Sequence, residues 1–149
     1  MAGTNALREL DPLLGDWVME SKKLGGRGRT TVDRSEKDMF VRLRSSSMEG
    51  QFPSSTWIIG ADDSSEDCTC LYRDSRDVTR VYQMAVSDGI WKIWRNAPGF
   101  NQRYIGDIAP DGNSIEGRWE FSEDGSTWEV DFDVGYRRAE PGDFPQAAA

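Results

Sequence analysis

Histidine is absent from the 149 residues, and cysteine occurs only in Cys68-Thr69-Cys70. Without imidazole there is no Ser-His-Asp triad and no His-bound haem, and two thiols alone make a poor zinc site. No metal and no cofactor is expected. Strand residues i and i+2 share a face with their Cα atoms about 6.5–7 Å apart, at the edge of disulfide geometry. The two cysteines are therefore expected as free thiols packed in a wall. Long apolar runs are missing as well, since none approaches the ~20 residues of a membrane-spanning helix. Met1 to Asp11 lacks the basic start and apolar stretch of a secretory signal. The expectation is a cytoplasmic protein with no membrane partner.

A basic face is the third absence. The net charge is -8; residues 1–53 carry nine basic and eight acidic side chains, and residues 54–149 carry nine basic and eighteen acidic. Displacing counterions from a nucleic acid needs a positive surface, and no stretch supplies one. Gly25-Gly26-Arg27-Gly28-Arg29 is a five-residue segment between two strand-like runs, so it reads as a glycine-rich turn and not as an RNA-binding tail. It is no phosphate loop either, because no helix follows. No Gly-x-Ser-x-Gly occurs.

What the chain does have is aromatic bulk, with six Trp, six Phe and four Tyr, and a length that encloses one core. Residues 5–13 suggest one short helical turn, with Leu7 and Leu10 three apart and Pro12 ending it. Beyond it, β-type runs alternate with turn signals every eight to twelve residues, the spacing of a sandwich or barrel. Strands are expected near 14–23, 28–36, 39–47, 55–61 and 67–74, followed by five segments over 78–136. Ten strands are too many for a flat open sheet of this size, so the expected fold is an all-β, up-and-down antiparallel barrel over residues 1–139 with a loose tail at 140–149.

Asp88-Gly89, Asp111-Gly112 and Asp124-Gly125 sit between β-type runs and predict hairpins. If each pair forms the centre of a two-residue turn, Val86 faces Trp91, Ile108 faces Ile115, Tyr104 faces Trp119, Phe121 faces Trp128 and Gly117 faces Phe132. Large apolar residues then share one side, while Glu116, Glu120, Asp131 and Asp133 fall outside. Arg103 lands opposite Glu120 as a cross-strand ion pair. The facing of Cys68, Cys70 and Tyr72 depends on the turn at Asp74-Ser75-Arg76-Asp77, which fits either a two- or a three-residue loop.

Gly15-Asp16-Trp17, after the helical turn and opening the first strand, resembles the Gly-x-Trp opening of lipocalins and the wider calycin superfamily. The resemblance implies an up-and-down barrel with an interior ligand cavity, and a Trp packed across the barrel bottom against a late Arg, here Arg137 or Arg138. A longer stretch, with Asp74-Ser75-Arg76, Arg80-Val81-Tyr82, Trp94-Arg95, Phe100-Asn101-Gln102-Arg103 and Gly117-Arg118-Trp119-Glu120, is similar to small bacterial lipocalin-like proteins of unassigned function. It departs from fatty-acid-binding proteins, because Lys22 to Arg29 leaves no room for their helical lid. It departs from nitrobindin-type barrels in lacking their haem-binding His.

In a barrel the informative positions are inward polar ones. The register places Tyr82, Arg95, Gln102, Tyr104 and Tyr136 inside, among Met84, Trp91, Ile93, Trp119, Trp128 and Phe132. A buried guanidinium needs a partner. Arg95 either binds the carboxylate or phenolate of a flat hydrophobic ligand, helped by Tyr and Gln donors, or sits at the barrel mouth with its head in water or on an Asp. The expected ligand-binding set is Tyr82, Met84, Trp91, Arg95, Gln102, Tyr104, Trp119, Phe132 and Tyr136. Trp119 and Trp128 read more as core filling, Trp91 and Tyr104 as cavity wall. Three functions follow in order of preference. The first is a module binding a small hydrophobic ligand, neutral or anionic. The second is a cofactor-independent isomerase, cyclase or dehydratase using Tyr82 or Tyr104 as acid. The third is a filled barrel serving assembly. A homodimer is compatible with all three.

Overall fold

The computed structural model describes residues 6–144. Ten antiparallel strands follow one another in the order β1 Gly15–Ser21, β2 Gly26–Ser35, β3 Phe40–Ser47, β4 Ser55–Ala61, β5 Cys68–Asp74, β6 Thr79–Ser87, β7 Ile90–Arg95, β8 Asn101–Ile108, β9 Ser114–Ser122 and β10 Glu129–Arg138. Each pairs with its neighbours in sequence and β10 returns to β1, so the sheet closes into an up-and-down barrel. Closure leaves no row of unpaired backbone groups along an edge. Among the described residues, no helix is long and apolar enough to cross a membrane.

Alternation sets the two faces. On β3, Val41, Leu43 and Ser45 are buried while Arg44 and Ser46 are exposed; on β6, Tyr82, Met84 and Val86 are buried. Cys68 pairs with Met84 and Cys70 with Tyr82, so both thiols, and Tyr72 two residues on, point inward. Both cysteines are free and fully buried.

One end of the barrel is plugged. Residues 6–8 are helical and lead into a 3-10 turn, Asp11–Leu13. Pro12 lies inside that second turn, not at the end of the helical segment as expected, because its missing N–H is tolerated in a first turn. Leu7, Leu10 and Leu13 are buried across the barrel floor. Trp17, 1 % exposed, donates its indole N–H to the Leu13 carbonyl at 2.8 Å. The Arg138 guanidinium stacks 3.8 Å from the Trp17 ring centre. It also donates to the carbonyls of Pro12, Leu14 and Gly112, binding the last strand to the first. Of the two late arginines, Arg138 is thus the one on the tryptophan. Arg137 forms two 3.0 Å bonds with Asp143, and Phe144 lies under Arg29. The rest of the expected loose tail, 145–149, lies outside the described residues, as does Asn5.

The Asp88-Gly89 turn has positive φ at both residues, 53° and 75°, the geometry of a tight hairpin. It pairs Val86 with Trp91 as expected. Around Asp111-Gly112 the expected register also holds, with Ile108 opposite Ile115 and Tyr104 opposite Trp119. There Gly106 faces Gly117, and the Tyr104 ring lies across both; its hydroxyl donates to the Val134 carbonyl at 3.0 Å.

The third hairpin departs from the expectation. Asp124 Oδ1 accepts from the backbone N–H groups of Ser126 and Thr127 and from the Ser122 hydroxyl, which opens a wide loop over 123–128 in place of a two-residue turn. Phe121 therefore faces Glu129, not Trp128, and Phe132 faces Trp119, not Gly117. A bulge between Val130 and Phe132 restores the inward parity of Phe132, Val134 and Tyr136. Trp128 is consequently outside, with the Arg103 guanidinium 4.0 Å from its ring centre. Arg103 and Arg118 also bond Glu120, at 2.5 and 2.9 Å. That carboxylate is on the outer face as expected, yet 8 % exposed and not solvated.

Candidate functional site

The other end of the barrel, ringed by residues 22–25, 48–54, 75–78, 96–100 and 123–128, leads into an interior cavity of about 360 Å³. That is within the range of small-molecule pockets, near its lower bound of ~300 Å³. The segment 48–54 rests on β2 where that strand has no side chains. A Cβ on Gly28 would lie 2.4 Å from the Ser46 carbonyl oxygen and 2.9 Å from the Phe52 ring, and one on Gly26 would lie 2.8 Å from Gln51. Two glycines thus let Gln51 and Phe52 reach the cavity.

All four tyrosines of the chain line this space. So do Trp57, Trp91 and Trp119, giving a continuous aromatic wall: Trp57 is 4.7 Å from Tyr72, 4.9 Å from Tyr82 and 6.4 Å from Trp119, centre to centre. On β1, β3 and β4 the lining also includes Ser21, Ser45 and Ser55, with Ser55 two residues before Trp57 on the same strand.

The mouth carries charge. Asp74 ends β5 with its side chain fully buried. Arg76 grips it through Nη2 at 2.6 Å and through its own backbone N–H, and the Tyr72 hydroxyl donates to it at 2.5 Å. The Arg76 bonds hold the Asp74 carboxyl far below its ordinary range against the opposing effect of burial. Tyr72 is shifted the other way, first by burial and then by the bond it donates to Asp74. Arg80, on β6, has no carboxylate within ion-pair distance among the described residues. It donates to Gln102 Oε1 at 3.3 Å, which also accepts from the Tyr82 hydroxyl at 2.8 Å. Because arginine can only donate, the Gln102 oxygen is turned to it. The Gln102 Nε2 group then has no partner among the described residues.

Of the expected ligand-binding residues, Tyr82, Trp91, Gln102, Tyr104, Trp119, Phe132 and Tyr136 all line the cavity. Met84 does not; it is fully buried between Cys68 and Ile93 toward the plugged end. Arg95 does not line it either. It ends β7, half-buried, 5.8 Å from the Tyr82 ring centre, beside an outer depression that it lines with Thr79, Asn96, Ala97 and the outer side of Arg80. Its place at the end of β7, outside the cavity lining, fits the barrel-mouth alternative.

Sequence reasoning missed Trp57, Tyr72, Arg76, Arg80 and Asp131 as cavity residues. Arg80 had a signal: it is two residues before Tyr82 on one strand and therefore shares its face. Asp131 had none, because only the bulge turns it inward.

Burial also raises Tyr104 and Tyr136 well above the ordinary phenol range, so both remain protonated donors. The hydroxyls of Tyr82 and Tyr104 are committed to Gln102 and to the Val134 carbonyl. Among the described residues, no three metal-ligating side chains converge. The chain matches no known family model, and no curated protein is significantly similar to it.

Proposed function

We propose that this protein binds a small hydrophobic molecule carrying an acidic or anionic oxygen, held inside the barrel with its apolar body against the aromatic wall. The observation that carries the reading is Arg80. A guanidinium that meets no carboxylate among the described residues stands at the mouth of an aromatic cavity, joined to a Gln102 amide whose N–H groups have no partner among those residues. An anionic group there gains charge-assisted hydrogen bonds, and the rings supply most of the buried area.

Relationship to the lipocalin-like barrels of the calycin superfamily belongs to the same proposal. It is supported by the Gly15-Asp16-Trp17 opening and by Arg138 stacked on Trp17 across the barrel floor. In this reading the protein is a bacterial, cytoplasmic ligand carrier or sensor. Binding is favoured over catalysis because the tyrosines named as acids already donate to protein acceptors.

Native mass spectrometry of freshly purified protein, followed by denaturing extraction, tests it. A stoichiometric small molecule retained by the wild type and lost from Arg80→Ala supports the proposal. Retention by the variant as strong as by the wild type removes Arg80 from it. A cavity that takes up no aromatic acid, even added in excess, overturns it.

A further inference from the structure

The cavity has a second polar point, at its plugged end. Three of the four lining tyrosines have committed hydroxyls: Tyr72 to Asp74, Tyr82 to Gln102 and Tyr104 to the Val134 carbonyl. The Tyr136 hydroxyl has no hydrogen-bond partner among the described residues. Its ring lies 5.5 Å, centre to centre, from that of Trp91. Trp91 is 2 % exposed, and its indole N–H is the one buried side-chain polar atom left without a partner among the described residues. Native interiors rarely leave a buried donor unpaired, and an absent ligand or water is a recognised reason when they do.

Position along the strands separates this pair from Arg80. Trp91 is one residue into β7 from the Asp88-Gly89 turn, and Tyr136 is two residues from the end of β10, both near the plug. Arg95, the Cα partner of Gln102, lies four residues farther along β7, a span of about 13 Å. The two cations that line the cavity, Arg76 and Arg80, are both at the mouth. The deep pair is therefore two neutral donors among aromatic rings, a setting that suits a neutral acceptor and penalises an ion.

Resting on the proposed binding function, we infer that Tyr136 and Trp91 form a deep subsite for a carbonyl-type oxygen. The ligand class is then a rigid, aromatic-bodied acid with a ketone, aldehyde, ester or quinone-like oxygen at the end opposite its anionic group. It enters with the neutral oxygen leading and leaves the acid at Arg80 and Gln102. Asp131, on β10 across the barrel from β6, keeps the anion on the Arg80 side by repulsion.

The test uses two matched probes, a naphthoate bearing an acetyl group on its far ring and the analogue bearing ethyl, titrated calorimetrically into wild type, Tyr136→Phe and Arg80→Ala. The expected result is that wild type binds the acetyl probe about 3- to 10-fold more tightly, the range of one or two neutral hydrogen bonds. Tyr136→Phe brings that ratio toward one, because the ethyl probe no longer buries an unpaired hydroxyl and the acetyl probe loses a donor. Arg80→Ala weakens both probes equally. Equal binding of the two probes by wild type, or a preference undiminished in Tyr136→Phe, overturns the deep subsite and leaves the cavity reading standing. Binding of neither probe overturns both. Tyr136→Phe removes a hydroxyl that bonds no other described residue, so an unchanged melting temperature separates loss of recognition from loss of fold.

Discussion

Tyr104 lies across Gly117 so closely that a Cβ on the glycine would sit 2.3 Å from the tyrosine hydroxyl oxygen and 2.8 Å from the backbone oxygen of Ile105. Neither can yield cheaply, because the hydroxyl is bonded to the Val134 carbonyl and the carbonyl belongs to the β8–β9 ladder. Gly117→Ala is expected to destabilise the protein by about 3 kcal/mol, at the upper end of overpacking costs. Urea unfolding of the variant measures it. Tyr104→Phe, which keeps the ring and orphans one carbonyl, is expected to cost less, about 1–2 kcal/mol.

The plug predicts a second effect far from the cavity. Arg138→Ala removes a cation–π contact at 3.8 Å and the bonds to Pro12, Leu14 and Gly112. A loss of about 2–4 kcal/mol is expected. Arg138→Lys recovers only part of it, because an ammonium cannot stack and fork at once. Thermal melts of the two variants against wild type give the order directly.

Acid sensitivity follows from the carboxylates. Arg76 holds Asp74 far below its ordinary range, and Arg137 lowers Asp143 to about 2. The backbone N–H groups of Lys22 and Lys23 lower Asp133. A carboxyl whose folded-state value is depressed contributes stability at every pH above its unfolded value. It loses that contribution as pH falls from the unfolded value toward the folded one. Stability should therefore be flat from neutral pH to about 5 and decline steeply between about 4 and 2. Asp74→Asn should be less stable at pH 7 and show a shallower decline. An unchanged acid limb in the variant would count against the ion pair.

The thiols should be inert. Burial, aided by Asp67 and Glu9, pushes Cys68 up to about 11, and burial pushes Cys70 higher still. Since the thiolate is the reactive form, a disulfide reagent at pH 8 should label neither cysteine in the native protein and both in denaturant. Rapid native labelling would show that the β4–β6 wall opens.

Much of this fold was legible because two signals agreed. In β8 and β9, alternation and the Asp111-Gly112 turn point to one register, and Tyr104 faces Trp119 as both require. They disagreed silently after Asp124. Its carboxylate caps a wide loop that a two-residue turn cannot contain, and the later bulge cancels the shift, so inward parity from Phe132 onward was right although the pairing was wrong. Trp128 and Asp131 fall between the two irregularities, which is why both were assigned to the wrong side. The cavity's aromatic residues followed from parity, but its cation did not. Arg95 and Arg80 have the same inward parity, and alternation alone does not tell that Arg80 lines the cavity while Arg95, at the end of β7, does not. Tyr136 was legible as lining, whereas the freedom of its hydroxyl depends on what its three fellow tyrosines hold.

The seam between β1 and β10 joins Trp17 to Arg138 and Val18 to Arg137, nearly the whole chain apart. Closing so long a loop carries the largest entropy cost of any contact in the barrel, and topologies rich in such contacts fold slowly. Until β10 docks, a chain folded as far as β9 presents β1 and β9 as bare edges, each a template for another strand. The folded barrel is sealed against aggregation, and its assembly pathway is the period in which that protection is missing.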